Sequence, residues 1–234
     1  MKVEIWSDVV CPWCYIGKRR FEAALADFEH AAQVELRWRS FELDPSAPDS
    51  REATEGQAER LARTKGIPLE QVRAMQAQIT SVAASVGLDY RLDLTRPGNS
   101  FDAHRLLHLA AEHGLQDRLK ERLDAATFTE GLSVSDPEAL TRLAVEVGLD
   151  EHRVRQVLGS EEYAEAVRAD EDQARAYGIS GVPFFVIDGR YGISGAQPSD
   201  AVLAALRQAW AERSPVQVVA GGDAPACEGD DCSV

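Results

Sequence analysis

Cys11 and Cys14, with Pro12 and Trp13 between them, are the residues whose type and spacing point most directly to chemistry. Two cysteines three positions apart at the start of a helix hold their sulfurs within bonding reach across one turn. The unpaired N–H groups of that turn aim at the first thiol. Those donors and the helix dipole favour thiolate over thiol, and thiolate is the form that attacks a disulfide. Cys11, just ahead of the helix, is therefore the expected nucleophile, and Cys14, one turn in and deeper, the resolving thiol. Pro12 suits a first helical turn, where its missing N–H would have no helical partner. Trp13 offers an aromatic surface for an apolar substrate segment. The competing reading is half of a zinc site, but one Cys-x-x-Cys supplies only two of the usual four ligands.

A second pair, Cys227 and Cys232, closes the chain after Ala220-Gly221-Gly222-Asp223-Ala224-Pro225, a linker composition. It reads as an auxiliary dithiol that relays electrons to or regulates Cys11 and Cys14. An inert tail or a metal-capturing dithiol are the other readings. Glu228, Asp230 and Asp231 should hold both thiols in the protonated form, making them slower nucleophiles. His104, His108 and Glu112 fall at helical i, i+4, i+8 positions, a pattern that can hold a metal. Packing near the active site is the better account of His104, and its positive form would stabilise a Cys11 thiolate lying beside it. No metal site is predicted. Asp8 could move protons, although a Ser-Asp turn explains it equally well. Gly195-Ala196-Gln197 could offer backbone donors to a carboxylate, or simply lead into a helix. Trp6, Trp38 and Trp210 read as core aromatics.

The elements that must position these residues follow from periodicity. Lys2–Trp6 alternates polar and apolar residues and runs into Ser7-Asp8, a strand and turn. Phe21, Leu25 and Phe28 mark a helix directly after the cysteines, and residues 34–39 alternate again. From about Pro45 to Tyr177 the period is helical. Pro68 suits a first turn before Val72, Met75, Ile79, Val82 and Val86, with Gly87 as stop. Leu106, Leu107 and Ala110 make the next stripe, then Leu115, Leu119 and Leu123. Ser135 and Glu138 form a capping box before Leu140, Leu143 and Val147. Strands return with Pro183-Phe184-Phe185-Val186-Ile187, turn at Asp188-Gly189 and continue through Ile193. A last helix fits residues 199–212.

The 234 residues carry a formal charge of −14, with 44% hydrophobic and 27% charged residues. That is the composition of a soluble globular chain, and its acidity argues against nucleic acid and anionic membranes as partners. No apolar run approaches a membrane span, and the first residues lack the pattern of a secretory signal. A cytoplasmic protein is the expectation. Four cysteines in close pairs then fit redox or metal sites better than structural staples.

Together the segments Ser7-Asp8-Val9-Val10-Cys11-Pro12-Trp13-Cys14, Phe41-Glu42-Leu43-Asp44-Pro45, Asn99-Ser100-Phe101-Asp102-Ala103-His104-Arg105-Leu106 and Gly181-Val182-Pro183-Phe184-Phe185 resemble the DsbA-like thioredoxin-fold oxidoreductases, in their cytoplasmic FrnE-type branch. They spread over residues 1 to about 213. The resemblance implies an α/β thioredoxin fold with a large all-helical insertion domain and a C-terminal tail. The thioredoxin domain would comprise 1–48 and 164–213, the insertion 49–163 and the tail 214–234. Read alone, Pro183 is a strand start with an ordinary trans bond. The resemblance instead makes Val182–Pro183 a cis bond packed beside the cysteines, with the backbone at Val182 offered to substrate. The implied activity is thiol–disulfide exchange through Cys11, Cys14 and Pro183, with Pro12, Trp13, Val182 and His104 at the substrate side. Partners would be protein or small-molecule thiols and disulfides. No organic cofactor is implied, with glutathione a candidate co-substrate, and no oligomeric state follows.

Related glutathione-binding enzymes, the kappa-class transferases and hydroxychromene-carboxylate isomerases, typically carry serine where Cys11 stands and lack the second cysteine. The complete pair moves this chain toward disulfide exchange. A glutathione-dependent transferase or isomerase and a metal-binding stress sensor remain the alternatives.

Overall fold

The structure is a computed structural model that describes residues 1–48 and 56–213. Strand β1 (Lys2–Ser7) leads through a short turn into helix α1 (Pro12–Ala26), and β2 (Glu35–Ser40) follows after a 3-10 turn. Seven helices come next: α2 (Gln57–Lys65), α3 (Leu69–Ser85), α4 (Phe101–Glu112), α5 (Gln116–Ala125), α6 (Pro137–Glu146), α7 (Glu151–Leu158) and α8 (Ala164–Ala176). The hairpin β3 (Phe184–Ile187) and β4 (Tyr191–Ser194) and helix α9 (Ser199–Ala211) complete the described chain.

The strands form one sheet in the order β2-β1-β3-β4, with β1 parallel to β2 and antiparallel to β3. Central β1 is covered on both faces, so its alternation does not translate into one wet face. Val3 and Ile5 join Phe21, Phe28, Phe185 and Leu206 in the core between the sheet, α1 and α9. Trp6 faces the other way, packing with Ala174 of α8 and Val186. Asp188 and Gly189 both adopt positive φ at the hairpin, the conformation an Asp-Gly turn favours. The architecture is the mixed α/β thioredoxin arrangement with a helical insertion, as the resemblance implied.

A second core lies among α4, α5, α6 and α7, built on Leu106, Leu119, Leu140 and Val154. It extends to Val9 in the turn before the cysteines. A third joins Tyr15 and Ile16 of α1 to Ala83, Leu88, Tyr90 and Phe128. Burying each such side chain is worth about 1.5–3 kcal/mol, so both ends of the cysteine motif are anchored in helical packing.

Two local expectations change. The N-cap of α6 is Asp136, whose carboxylate accepts from Glu138 N–H, rather than Ser135. Pro137 takes the first helical position and forces the residue before it into the extended region, which leaves Ser135 one residue too far out. Pro68 is likewise the extended residue before α3 rather than inside its first turn. Met75, read as part of the apolar stripe of α3, is 41% exposed, because only Val72 and Ala83 of that helix are fully buried.

At Trp38 and Ser40 the edge of β2 is covered by side chains. Trp38 N–H donates to Gln116 Oε1 at 3.0 Å, and Gln116 Nε2 donates to the Trp38 carbonyl at 3.0 Å. Ser40 N–H donates to Asp170 Oδ2 at 2.9 Å.

Candidate active site

The site stands where β1 ends. Cys11 is the N-cap of α1 in extended conformation, Pro12 is the first helical residue, and Cys14 N–H donates to the Cys11 carbonyl at 3.0 Å. Cys11 N–H in turn donates to the Asp8 carbonyl at 3.3 Å, which fixes the turn from strand into helix. Both cysteines are reduced and buried, Cys14 completely and Cys11 with 4% of its surface exposed. Trp13 is far more open at 36%. Cys11 is thus almost enclosed, with the exposed Trp13 ring two residues away.

The Val182–Pro183 peptide bond is cis. The Val182 carbonyl lies 3.6 Å from Cys11 Sγ, so the first thiol donates toward the backbone just before the proline. A Cβ added to Gly17 would stand 2.9 Å from Pro183 Cγ, so a side chain larger than hydrogen cannot occupy this turn of α1 unless the proline moves. The mid-helix glycine was the available signal for this close approach, since glycine inside a helix is unfavourable by about 1 kcal/mol relative to alanine. Pro12 is held from above, its carbonyl accepting from Tyr90 Oη at 2.6 Å. Beside Val10 and Pro12 runs a cleft of about 500 Å³ bordered by Leu43, Leu61, Arg60 and Lys65.

The two thiols differ in setting. Burial pushes the Cys14 thiol well above its ordinary value, and neighbouring Cys11 adds to the shift. Lys120 and Ser7 act the other way. Lys120 is fully buried in an ion pair with the equally buried Asp124, one turn along α5. Burial raises the Asp124 carboxyl to about 6, and Lys120 opposes that rise. In the sequence this pair reads as an ordinary exposed i, i+4 contact, with no signal of burial.

Cys11, Pro12, Trp13, Cys14, Val182 and Pro183 therefore share one site. His104 lies behind it, paired with Asp8: Nε2 is 3.4 Å from Asp8 Oδ1, without the alignment of a hydrogen bond. Asp8 accepts from Leu43 N–H at 2.8 Å and Val10 N–H at 3.3 Å. Burial would raise its carboxyl, but His104, the Leu43 amide and Ser100 together hold it below the usual range. Asp8 thereby braces the loop that precedes Cys11. His108 points to different partners, with Nε2 3.2 Å from both Ser40 Oγ and Asp170 Oδ2, so the two histidines serve separate carboxylates. Among the described residues no group of three His, Cys, Asp or Glu is arranged to hold a metal ion. Two of the three loop amides read as carboxylate donors are committed internally: Gly195 N–H to the Pro183 carbonyl and Gln197 N–H to the Gly195 carbonyl. Cys227 and Cys232 lie outside the described residues. No helix among the described residues is long and apolar enough to cross a membrane.

A dithiol at a helix N-terminus facing a cis-proline loop on a thioredoxin sheet defines the class, a thioredoxin-fold oxidoreductase. More specifically, the model of the DSBA-like thioredoxin domain matches residues 2–207, and the chain belongs to that family. It is similar to a probable DsbA oxidoreductase from Streptomyces coelicolor, 46% identical with a TM-score of 0.92, the match covering 100% of this chain and 99% of that one. The cytosolic disulfide reductase DsbM from Pseudomonas aeruginosa shares the fold at 16% identity, with a TM-score of 0.62 and coverage of 90% and 99%. A 2-hydroxychromene-2-carboxylate isomerase does so at 17% identity and a TM-score of 0.61, covering 90% and 95%.

Proposed function

We propose that the protein is a thiol–disulfide oxidoreductase of the FrnE-type branch, acting in the cytoplasm on protein or small-molecule thiols and disulfides. The observation that carries this reading is the placement of Cys11 at the N-cap of α1, its sulfur 3.6 Å from the Val182 carbonyl, with Cys14 one turn in. Cys11 attacks one sulfur of a substrate disulfide, and the other sulfur leaves as a thiolate. The Cys14 sulfur then attacks Cys11 Sγ, closing the Cys11–Cys14 disulfide and releasing the reduced substrate. Run backward, the same steps oxidise a dithiol, the direction being set by the potential of the pair against its surroundings. Trp13 and the cleft past Pro12 supply an apolar surface for the segment that carries the substrate sulfur.

The presence of Cys14 favours exchange over a glutathione-dependent transfer or isomerisation, neither of which needs a second thiol. Cys227 and Cys232 serve as an auxiliary pair in this reading. The test is catalysed reduction of insulin by dithiothreitol. Cys11→Ser abolishes it, Cys14→Ser accumulates a covalent mixed disulfide, and Cys227→Ser/Cys232→Ser shifts the turnover or the potential. Activity that survives Cys11→Ser refutes the assignment, and activity that survives Cys14→Ser while requiring glutathione assigns the transferase class instead.

A further inference from the structure

Exchange leaves one difficulty unresolved by the cysteines themselves. Cys14 must attack as a thiolate from a site where burial holds it as a thiol. A cation in the same dry volume would relieve this, and α5 provides one. Cys14 and Lys18 lie four residues apart, on one face of α1. Lys18 Nζ is 3.2 Å from carboxylate oxygens of both Asp117 and Glu121, and Tyr15 Oη donates to Glu121 at 2.6 Å. One turn toward the cysteines on α1 thus corresponds to one turn forward on α5, toward the 120–124 turn, and the Lys120 charge acts on the Cys14 thiol. Tyr90 marks the same volume: its hydroxyl lies on the Pro12 carbonyl, and its ionisation is opposed by burial and by the charges of Asp124, Cys11 and Cys14. The Lys120 ammonium lies 5.3 Å from the centre of the Trp38 ring with Asp124 as its ion-pair partner. Such a pair gives no clear stability advantage over apolar residues of the same size, so packing alone does not explain it.

We propose that Lys120, held in place by Asp124, stabilises the Cys14 thiolate as it forms in the resolving step. The inference rests on the dithiol reading above and deepens it, because the helical insertion then contributes to the chemistry. Neither residue reacts: Lys120 acts through its charge on Cys14, and Asp124 positions it. Cys14 loses its proton and attacks Cys11 Sγ, the Cys11–substrate bond breaks, and the proton ends on the departing substrate thiolate. The other charged and titratable groups around the pair are Lys18 and Glu121, together with Tyr15, Tyr90, Cys11 and the Ser7 hydroxyl.

Stopped-flow reaction with Ellman's reagent separates the steps. The first thionitrobenzoate released reports attack by Cys11, and the second reports displacement by Cys14. Working with Cys227→Ser/Cys232→Ser as the parent keeps the tail thiols out of the signal. The added variant Lys120→Met/Asp124→Leu fills the same space without charge, and Lys120→Gln/Asp124→Asn is the alternative if the first does not fold. In the folded variant the second phase slows by about tenfold at pH 7, and its pH profile moves to higher pH. The first phase stays unchanged. A second phase with unchanged rate and pH profile overturns the inference alone. Absence of a first phase in the parent overturns the dithiol reading and this inference with it.

Discussion

Gly17→Ala sets two opposing effects against each other at the contact between α1 and the proline loop. Alanine is favoured over glycine inside a helix by about 0.8–1.0 kcal/mol, which alone would stabilise the protein. Against that, the new methyl would lie 2.9 Å from Pro183 Cγ, 3.4 Å from Pro183 Cβ and 3.5 Å from Phe185 Cζ. The proline ring is fixed by its own backbone and cannot swing aside as a flexible side chain would. Overpacking of this kind costs about 1–3 kcal/mol, leaving a net loss of up to about 2 kcal/mol. In a chain of this size 1 kcal/mol corresponds to about 2–4 °C, so melting should fall by up to about 8 °C, and further for Gly17→Val. The same displacement separates Cys11 Sγ from the Val182 carbonyl, so insulin reduction should slow along with it. Thermal melting monitored by circular dichroism, with the insulin assay run on the same samples, checks both. A Gly17→Ala protein that melts higher than the parent and keeps its full rate would show that helix propensity decides the outcome and that the close approach is not needed.

Other outcomes follow from the polar groups around the site. Asp8→Ala removes the acceptor of the Leu43 and Val10 amides and the partner of His104, and should destabilise by about 2–4 kcal/mol in urea unfolding. Tyr90→Phe removes the hydrogen bond to the Pro12 carbonyl and should cost about 0.5–1.5 kcal/mol by the same measurement. Asp8 and Asp124 act with opposite sign on the pH dependence of stability. The carboxyl of Asp8 is depressed on folding, so its contribution is full above its unfolded value of about 3.9 and is lost as pH falls through the lower folded value. That of Asp124 is raised to about 6, so the folded state binds the extra proton and stability declines as pH rises from about 3.9 to 6. Asp124→Asn should therefore flatten the stability curve in that interval, and a slope identical to the parent's would refute the assignment.

Much of this was legible in the chain because it is local. A proline one residue past a cysteine sets a helix start, and Asp-Gly between two apolar runs sets a hairpin. Both appear where the sequence places them. The Gly-Val-Pro segment pointed to the cis bond only through resemblance, since nothing in the three residues selects that isomer. What the sequence could not convey depends on the packing of distant elements. Lys120 and Asp124 have the spacing of a solvated pair, and only the packing of α5 among distant elements, with Lys120 against Trp38 of β2, buries them. Asp8 could be read equally as a turn former, and its bracing role appears once Leu43 and His104 arrive from 35 and 96 residues away in the chain. Ser135 was misplaced as a cap because two adjacent candidates competed and Pro137 decided between them.

The side chains of Gln116 and Asp170 that occupy the outer edge of β2 also bear on how copies of the protein behave toward one another. An open strand edge recruits further strands, in other copies or in half-unfolded clients, through backbone pairing that ignores sequence. At Trp38 the Gln116 amide imitates one residue of a neighbouring strand, donor and acceptor alike, and at Ser40 a carboxylate takes the amide instead. An enzyme whose proposed work brings it against chains with mispaired cysteines would meet many such stray strands. At these two positions its outward amides are already taken and cannot nucleate their aggregation.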